Sequence, residues 1–200
     1  MPHLMDILER APGLTRPGWI LLSLFAATLI IDCFLSRQYS AGDGSRDENT
    51  SQLLVLSLGF NIIVMVCSSF SGLGRLSTTP DFLVPLGLIM ALAGVILRYT
   101  SIFSLGDRFT WRVEILDQHS LKEDGLYAWI RHPSYLGGLL GVYGAALTYE
   151  SSISLLVLSC THLPLIIYRI TVEEKALSQY FGELFDGYRA RTYRLVPYLF

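Results

Sequence analysis

Charged residues are scarce in this chain of 200 residues, and their scarcity excludes most classes of soluble protein. Asp, Glu, Lys and Arg make up 16% of the sequence, whereas hydrophobic residues make up 52%. A soluble globular domain carries about 25% charged residues. The net charge of −2 gives no sign of the basic surface that nucleic-acid binding requires. The composition therefore favours a membrane protein without a nucleic-acid partner.

Cysteines are few as well, and their spacing suits neither a disulfide framework nor a metal site. The chain has three, Cys33, Cys67 and Cys160, and each lies inside an apolar stretch. Disulfide-rich domains and zinc sites need cysteines in closely spaced sets. We therefore expect three small buried hydrophobic side chains and no bound metal.

Long apolar runs make up most of the chain. A membrane-spanning helix needs about 20 predominantly apolar residues. The runs predict an all-α polytopic membrane bundle with five transmembrane helices, at residues 17–35, 53–70, 82–102, 134–149 and 153–168. The last two runs are almost adjacent, which predicts a helical hairpin. Four glycines in the fourth run predict close packing against another helix, and they are Gly137, Gly138, Gly141 and Gly144.

The basic residues are distributed unevenly around these spans. Twelve of the 15 lysines and arginines fall on one side of the membrane, with Arg98 counted among them. Because positive residues concentrate on the cytoplasmic side, this side is predicted to be cytoplasmic. We divide the chain into N-terminal helices at residues 1–105 and a cytoplasmic, cofactor-binding catalytic region at 106–200. An amphipathic helix at 171–193 is expected to cap the bundle.

Two polar clusters, at residues 119–137 and 169–188, lie at the cytoplasmic ends of the predicted hairpin. Ionisable groups at membrane depth are costly and usually functional. Arg131 and Trp129 suit an interface anchor as well as a functional site, whereas His132 is a poor anchor. Arg169 and Glu173 are four residues apart on one helical face, which suits a simple ion pair as well as a catalytic site.

The two clusters carry a family resemblance. The first reads Gly-x-Tyr-x-x-x-Arg-His-Pro-Ser-Tyr-x-Gly at residues 125–137. The second reads Glu-Glu-x-x-Leu at 173–177, followed by Phe-Gly at 181–182 and by Tyr188. Together they resemble the isoprenylcysteine carboxyl methyltransferase family over residues 119–188. The short chain is similar to prokaryotic, in particular archaeal, members.

The resemblance implies an enzyme that uses S-adenosyl-L-methionine, releases S-adenosyl-L-homocysteine, and has no Rossmann domain. The sequence indeed has no Gly-x-Gly-x-x-Gly motif after a strand. By resemblance, Arg169 and Glu173 are catalytic, and Arg169 faces a prenylated or lipid-like substrate that enters from the bilayer. Cofactor contacts are implied for ten residues, which are His119, Ser120, Leu121, Lys122, Tyr127, His132, Pro133, Ser134, Tyr135 and Glu173.

These residue types suit carboxyl methylation. A carboxylate has a pKa of about 4 and is already a nucleophile at neutral pH, so no general base is needed. A guanidinium group such as that of Arg169 is well shaped to hold a carboxylate bidentately.

Three other functions stay open at this stage. A phospholipid N-methyltransferase would need a base for its amine acceptor, and Glu174 or His119 is a candidate. A sterol-reductase-like oxidoreductase would need more spans than this chain holds. A non-enzymatic membrane scaffold would bind no cofactor.

Overall fold

The computed structural model describes residues 16–38, 47–76, 82–111 and 120–198. In these ranges the backbone is helical, with two isolated β-bridges, at Arg75–Ser151 and Ile130–Tyr193. Short 3-10 helices occupy Gly106–Arg108 and Gly125–Ala128. The α-helices are α1 (Arg16–Gln38), α2 (Thr50–Ser71), α3 (Leu83–Leu105), α4 (Pro133–Thr148), α5 (Ser152–Cys160), α6 (His162–Phe181) and α7 (Glu183–Arg191). The predicted all-α fold is confirmed for the described residues.

Three helical stretches of the described chain are long and apolar enough to cross a membrane. They are α2, α3 and the stretch Ser152–Phe181 formed by α5 and α6. The apolar part of α1, Ser23–Leu35, is shorter, and α4 has 16 residues. Length and composition thus support three of the five predicted spans. Large apolar side chains on the outer faces of α2 and α3 are exposed, as expected for surfaces that contact lipid, and they include Leu56, Ile63, Ile89 and Ile96.

Helices α3 and α4 pack backbone against backbone. A Cβ atom added at Gly137 would lie 2.5 Å from the backbone nitrogen of Arg98, and one added at Gly144 would lie 2.5 Å from that of Ala91. No side chain larger than hydrogen fits at either position. The predicted close packing of the glycines is therefore confirmed at these two positions. It brings Pro133, at the first turn of α4, level with the end of α3.

The predicted boundary between a fifth span and a separate capping helix, near residues 168–171, is wrong. Helix α6 continues from His162 to Phe181, because no glycine or proline interrupts its second half. It ends at Gly182, whose φ of 55° lies in the left-handed region that favours glycine. Arg169 and Glu173 are consequently fixed on one uninterrupted helix, which α7 follows as a short separate element.

Arg98 does not belong with the polar segments that flank the spans. It lies inside α3, seven residues before the end of that helix, and its guanidinium group pairs with Asp32 of α1 at 3.2 Å. The predicted cytoplasmic side therefore has one basic residue fewer near the membrane surface than was counted from the sequence.

The prediction that the three cysteines are buried is wrong. Cys33, Cys67 and Cys160 are all exposed. Each belongs to an apolar helix, whose outer surface meets lipid in a membrane protein. A small hydrophobic side chain is as suitable at such a surface as in a core.

The end of the chain holds the polar segment before α4 in place. The backbone N–H of Arg131 donates to the carbonyl of Tyr193 at 2.8 Å, and that of Tyr193 donates to Trp129 at 2.9 Å. The segment that carries the first cluster is thus clamped between α4 and the C-terminal residues.

Candidate active site

A buried guanidinium group, that of Arg169 on α6, lies at the centre of the site. Its Nη1 donates to Asp47, to the hydroxyl of Thr50 at 2.6 Å and to the hydroxyl of Ser51 at 2.8 Å. Its Nη2 donates to the carbonyl of Trp111 at 2.8 Å. The side chain is held from the segment after α3, which belongs to the predicted catalytic region, and from the N-terminus of α2, which was not predicted to contribute to the site.

Tyr135 of α4 completes the surroundings of Arg169 and connects it to Glu173. Its hydroxyl accepts a hydrogen bond from Nε of Arg169 at 3.0 Å and donates one to Oε2 of Glu173 at 2.7 Å. The structure therefore brings together the predicted residues Tyr135, Arg169 and Glu173.

A second charged cluster surrounds Glu174, which is 4% exposed. Its carboxylate accepts from Nε of Arg131 at 2.8 Å and from Nη2 of Arg194 at 2.6 Å. His132 lies between the two glutamates, with Nε2 at 3.3 Å from Glu174 and Nδ1 at 3.9 Å from Glu173. Arg131 is thus engaged inside the protein, whereas Trp129, 67% exposed, has the position of an interface anchor.

From the sequence, Glu174 was a candidate only for the base of an N-methyltransferase. The signal for its structural role was the Arg-His pair at residues 131–132, since two basic groups entering a buried site need an acidic partner. The basic side chains of Arg131, His132 and Arg194 converge on the Glu174 carboxylate. Glu174 therefore links the polar segment at residues 119–137 to the one at 169–188.

The described residues between α3 and α4, at 106–111 and 120–132, form the polar wall of the site. The hydroxyl of Ser120 accepts from Nε of Arg108 at 2.7 Å, and Lys122 pairs with Asp124 at 2.7 Å. This hydrogen bond from Lys122 is the main reason why the pKa of the exposed Asp124 carboxyl is lowered. His119 lies outside the described residues, so its predicted role stays a prediction.

Tyr127 is anchored deep in this wall. Its hydroxyl donates to the carbonyl of Ser101 at 3.3 Å, and its own carbonyl accepts from the hydroxyl of Tyr188 at 2.7 Å. Burial raises the pKa of both tyrosine hydroxyls. They therefore stay protonated and act as donors over the physiological range.

A cavity of about 600 Å³ joins these parts. Its volume lies within the range of small-molecule sites. Nine of the predicted residues line it, which are Ser120, Leu121, Lys122, Tyr127, His132, Ser134, Tyr135, Arg169 and Glu173. Pro133 is fully buried and does not line it, because its ring starts α4 and packs inside the protein.

The other half of the cavity is mostly apolar and extends between the helices, where the Arg98–Asp32 ion pair, Thr28 and His162 also line it. Its walls come from α1, α2, α4 and α6, and they include Phe25, Leu54, Leu58, Ile62, Val142 and Ile166. Because these side chains belong to no motif, they could not be assigned to the site from the sequence alone. The guanidinium of Arg169 lies where the polar and apolar halves meet.

The polar half offers groups that fit S-adenosyl-L-methionine. Tyr127 and Tyr135 present aromatic rings that suit a sulfonium cation, and the Glu173 side chain is 32% exposed and can accept hydrogen bonds. Among the described residues no group of His, Cys, Asp and Glu side chains is arranged to hold a metal ion.

Comparisons with known proteins agree with these features. The isoprenylcysteine carboxyl methyltransferase (ICMT) family pattern matches residues 87–179. A probable protein-S-isoprenylcysteine O-methyltransferase of Oryza sativa subsp. indica is 27% identical over 186 residues, covering 88% of this chain and 95% of the relative. Protein-S-isoprenylcysteine O-methyltransferase B of Arabidopsis thaliana is 34% identical over 115 residues, covering 56% of this chain and 58% of the relative.

A solved structure has the same fold. It is that of the eukaryotic intramembrane Ras methyltransferase ICMT, with a TM-score of 0.57 and 22% sequence identity. The match covers 72% of this chain and 52% of that one. The chain is a multi-pass integral membrane protein, and its residues 87–179 are similar to the isoprenylcysteine carboxyl methyltransferase family.

Proposed function

We propose that this protein is a methyltransferase that uses S-adenosyl-L-methionine to esterify the carboxylate of an isoprenylated cysteine or of a similar lipid-like acceptor. One observation carries the proposal most directly. A buried guanidinium group lies between the polar and apolar halves of one cavity. An amphiphile with a carboxylate head and a hydrocarbon tail matches this arrangement, and the names of the relatives point to the same acceptor.

We propose that the polar half binds the cofactor through Lys122, Tyr127, His132, Tyr135 and Glu173, together with the backbone near Ser120 and Leu121. When bound, S-adenosyl-L-methionine supplies a methyl group that the acceptor oxygen takes while the carbon–sulfur electron pair returns to sulfur. Tyr127 is fixed at both its hydroxyl and its carbonyl, so its ring is held in one orientation. Rigid walls of this kind favour alignment of the reacting groups, which can lower the barrier by several kcal/mol.

Arg169 would hold the acceptor carboxylate. Its Nη1 and Nε are occupied by protein groups, and Nη2, which carries two hydrogens, donates to Trp111. One Nη2 hydrogen is without an acceptor in the described part of the chain. This supports binding of the carboxylate through Nη2 and argues against the bidentate contact that the residue type suggested, because a second contact would displace Tyr135 or Asp47. The reaction needs no general base, since the acceptor is already ionised at neutral pH.

The membrane arrangement follows from the same geometry. We propose five crossings, with α1 and α4 added to the three stretches of sufficient length. Helix α4 is about 24 Å long at 1.5 Å per residue, about 6 Å shorter than the hydrocarbon core, a mismatch that local thinning of the bilayer accommodates. The apolar half of the cavity would admit the tail from the bilayer, and the polar half would face the cytoplasm, the side richer in arginine and lysine. Residues 106–200 would then form the catalytic region and residues 1–105 the wall that receives the tail.

The proposal is tested with purified full-length protein in detergent, supplied with labelled S-adenosyl-L-methionine. We expect base-labile methyl ester to form on N-acetyl-S-farnesylcysteine, and no product to form on phosphatidylethanolamine. Methylation of phosphatidylethanolamine alone would replace the proposal with an amine methyltransferase. Failure to bind S-adenosyl-L-homocysteine in calorimetry would contradict both activities and favour a scaffold.

A further inference from the structure

The guanidinium group proposed to bind the acceptor carboxylate already has a carboxylate on it. Asp47 contacts Nη1 of Arg169, and both side chains are buried, with 7% and 5% exposure. The two residues are 122 positions apart in the chain. The contact therefore joins the beginning of α2 to the middle of α6.

The Asp47 carboxylate is fixed by the first turn of α2, which begins three residues later. Oδ2 accepts from the backbone N–H of Ser51 at 3.1 Å, and Oδ1 accepts from the Ser51 hydroxyl at 2.8 Å. The backbone carbonyl of Asp47 accepts from the hydroxyl of Thr50 at 2.7 Å. The N-terminus of α2 thus stabilises the negative charge, and the carboxylate cannot swing away from Arg169 without losing these bonds.

The ion pair changes what Arg169 offers to an anionic acceptor. A buried Arg169 without Asp47 would present a full positive charge in a medium of low dielectric constant, where it would bind a carboxylate strongly. With Asp47 in place the pair is neutral overall. The acceptor then meets an oriented N–H group with little net attraction from charge.

This neutrality suits the proposed reaction. The acceptor carboxylate loses its negative charge as the ester forms, so a strong ion pair with Arg169 would stabilise the reactant more than the transition state. Interactions that favour the reactant lower KM and do not raise kcat. A guanidinium that orients the acceptor carboxylate without attracting it strongly does not stabilise the reactant relative to the transition state.

We propose that Asp47 is a positioning residue that holds Arg169 in place and neutralises its charge, and that it thereby sets how tightly the enzyme binds an anionic acceptor. The inference rests on the proposed function, since it concerns the acceptor of that reaction. It assigns a role to the N-terminus of α2, which carries no recognisable motif.

The substitution Asp47→Asn tests the proposal, because an amide oxygen can still accept from Arg169 while the negative charge is removed. We expect KM for N-acetyl-S-farnesylcysteine to fall about tenfold, and kcat to fall with it. The matched control is Glu48→Gln, which removes the same charge one residue away, where the carboxylate is bonded to the exposed hydroxyl of Tyr168. That control should leave both constants unchanged. An Asp47→Asn enzyme whose KM is unchanged or raised would overturn the proposal.

A binding measurement separates this inference from the proposed function. In the presence of S-adenosyl-L-homocysteine, which donates no methyl group, the affinities of N-acetyl-S-farnesylcysteine and of its methyl ester are compared. Asp47→Asn should tighten binding of the acid about tenfold and leave the ester unchanged. If the wild-type protein forms no ester but this shift is seen, the proposed function fails, and Asp47 is shown to control only how tightly the site binds the acid. If esters form but the ratio of affinities does not change, the inference fails alone.

A second variant covers the case in which Asp47→Asn does not insert or fold. Asp47→Ser also removes the charge and keeps a hydroxyl near Nη1. Affinity for S-adenosyl-L-homocysteine reports whether each variant is intact. Asp47→Ser should shift the ratio of acid to ester affinity in the same direction, and an unchanged ratio in an intact variant would contradict the proposal.

Discussion

Arg169 and Glu173 are joined through a third side chain and not to each other. They are four residues apart on α6, the spacing of a common helical ion pair, but the hydroxyl of Tyr135 lies between them, accepting from Arg169 and donating to Glu173. The relay fixes the direction of both groups toward the cavity. Because Tyr135 belongs to α4 and the two charged residues belong to α6, its hydrogen bonds also fix α4 relative to α6.

Removal of the Tyr135 hydroxyl tests this relay. We expect Tyr135→Phe to lower kcat/KM for the carboxylate acceptor about tenfold, because hydrogen bonds to two charged groups are lost. The control is Tyr143→Phe on the same helix, whose hydroxyl bonds the exposed Ser159 and should not affect activity. Equal activity of the two variants in a methyl ester assay would show that the relay plays no part in turnover.

Substitution of either charged residue of the relay should be more severe. We expect Arg169→Ala and Glu173→Ala each to lower kcat/KM by about 100-fold or more, since the acceptor and the cofactor side of the cavity lose their alignment. Both proteins should still insert in membranes and elute as intact protein from a sizing column. The control is Arg191→Ala, which removes an exposed guanidinium paired with Glu123. Normal turnover in either relay variant would refute its assignment.

Glu174 should matter for stability. Glu174→Gln leaves Arg131 and Arg194 without their shared negative partner in a mostly buried cluster. Breaking a buried pair in this way costs about 3 kcal/mol, so the thermal unfolding temperature in detergent should fall by several degrees. Glu123→Gln removes one partner of an exposed pair with Arg191, where the expected cost is below about 1 kcal/mol. A Glu174 variant as stable as the Glu123 variant would contradict the structural role.

The contact between α3 and α4 provides a steric test. Gly144→Ala places a methyl group 2.5 Å from the backbone nitrogen of Ala91, which cannot move without shifting α3. We expect a loss of about 1–3 kcal/mol in stability, measured by thermal unfolding. At Gly138 an added methyl group meets only the flexible Arg98 side chain at 3.8 Å. Gly138→Ala on the same helix should therefore be neutral or slightly stabilising, since alanine favours helix.

Much of this protein follows from local sequence. The apolar runs indicate the membrane helices because no soluble core could use so many of them, and Pro133 predicts the start of α4 because it needs no backbone donor there. The Arg-His-Pro-Ser-Tyr and Glu-Glu elements carry the resemblance to the isoprenylcysteine carboxyl methyltransferase family, and the period of the helix places Arg169 and Glu173 on one face. These features depend on neighbours within a few residues, which a sequence displays directly.

Only the tertiary structure decided the rest. Asp47 and Thr50 contact Arg169 although more than a hundred residues separate them in the chain. No motif near Asp47 or near Arg169 predicts this contact. Contacts of this kind arise from the way that separate helices pack. The sequence by itself determined the long apolar helices and the polar elements beside them, because these depend on near neighbours in the chain. The packing of α2 against α6 decided that the Asp47 carboxylate contacts the guanidinium of Arg169 at the centre of the site.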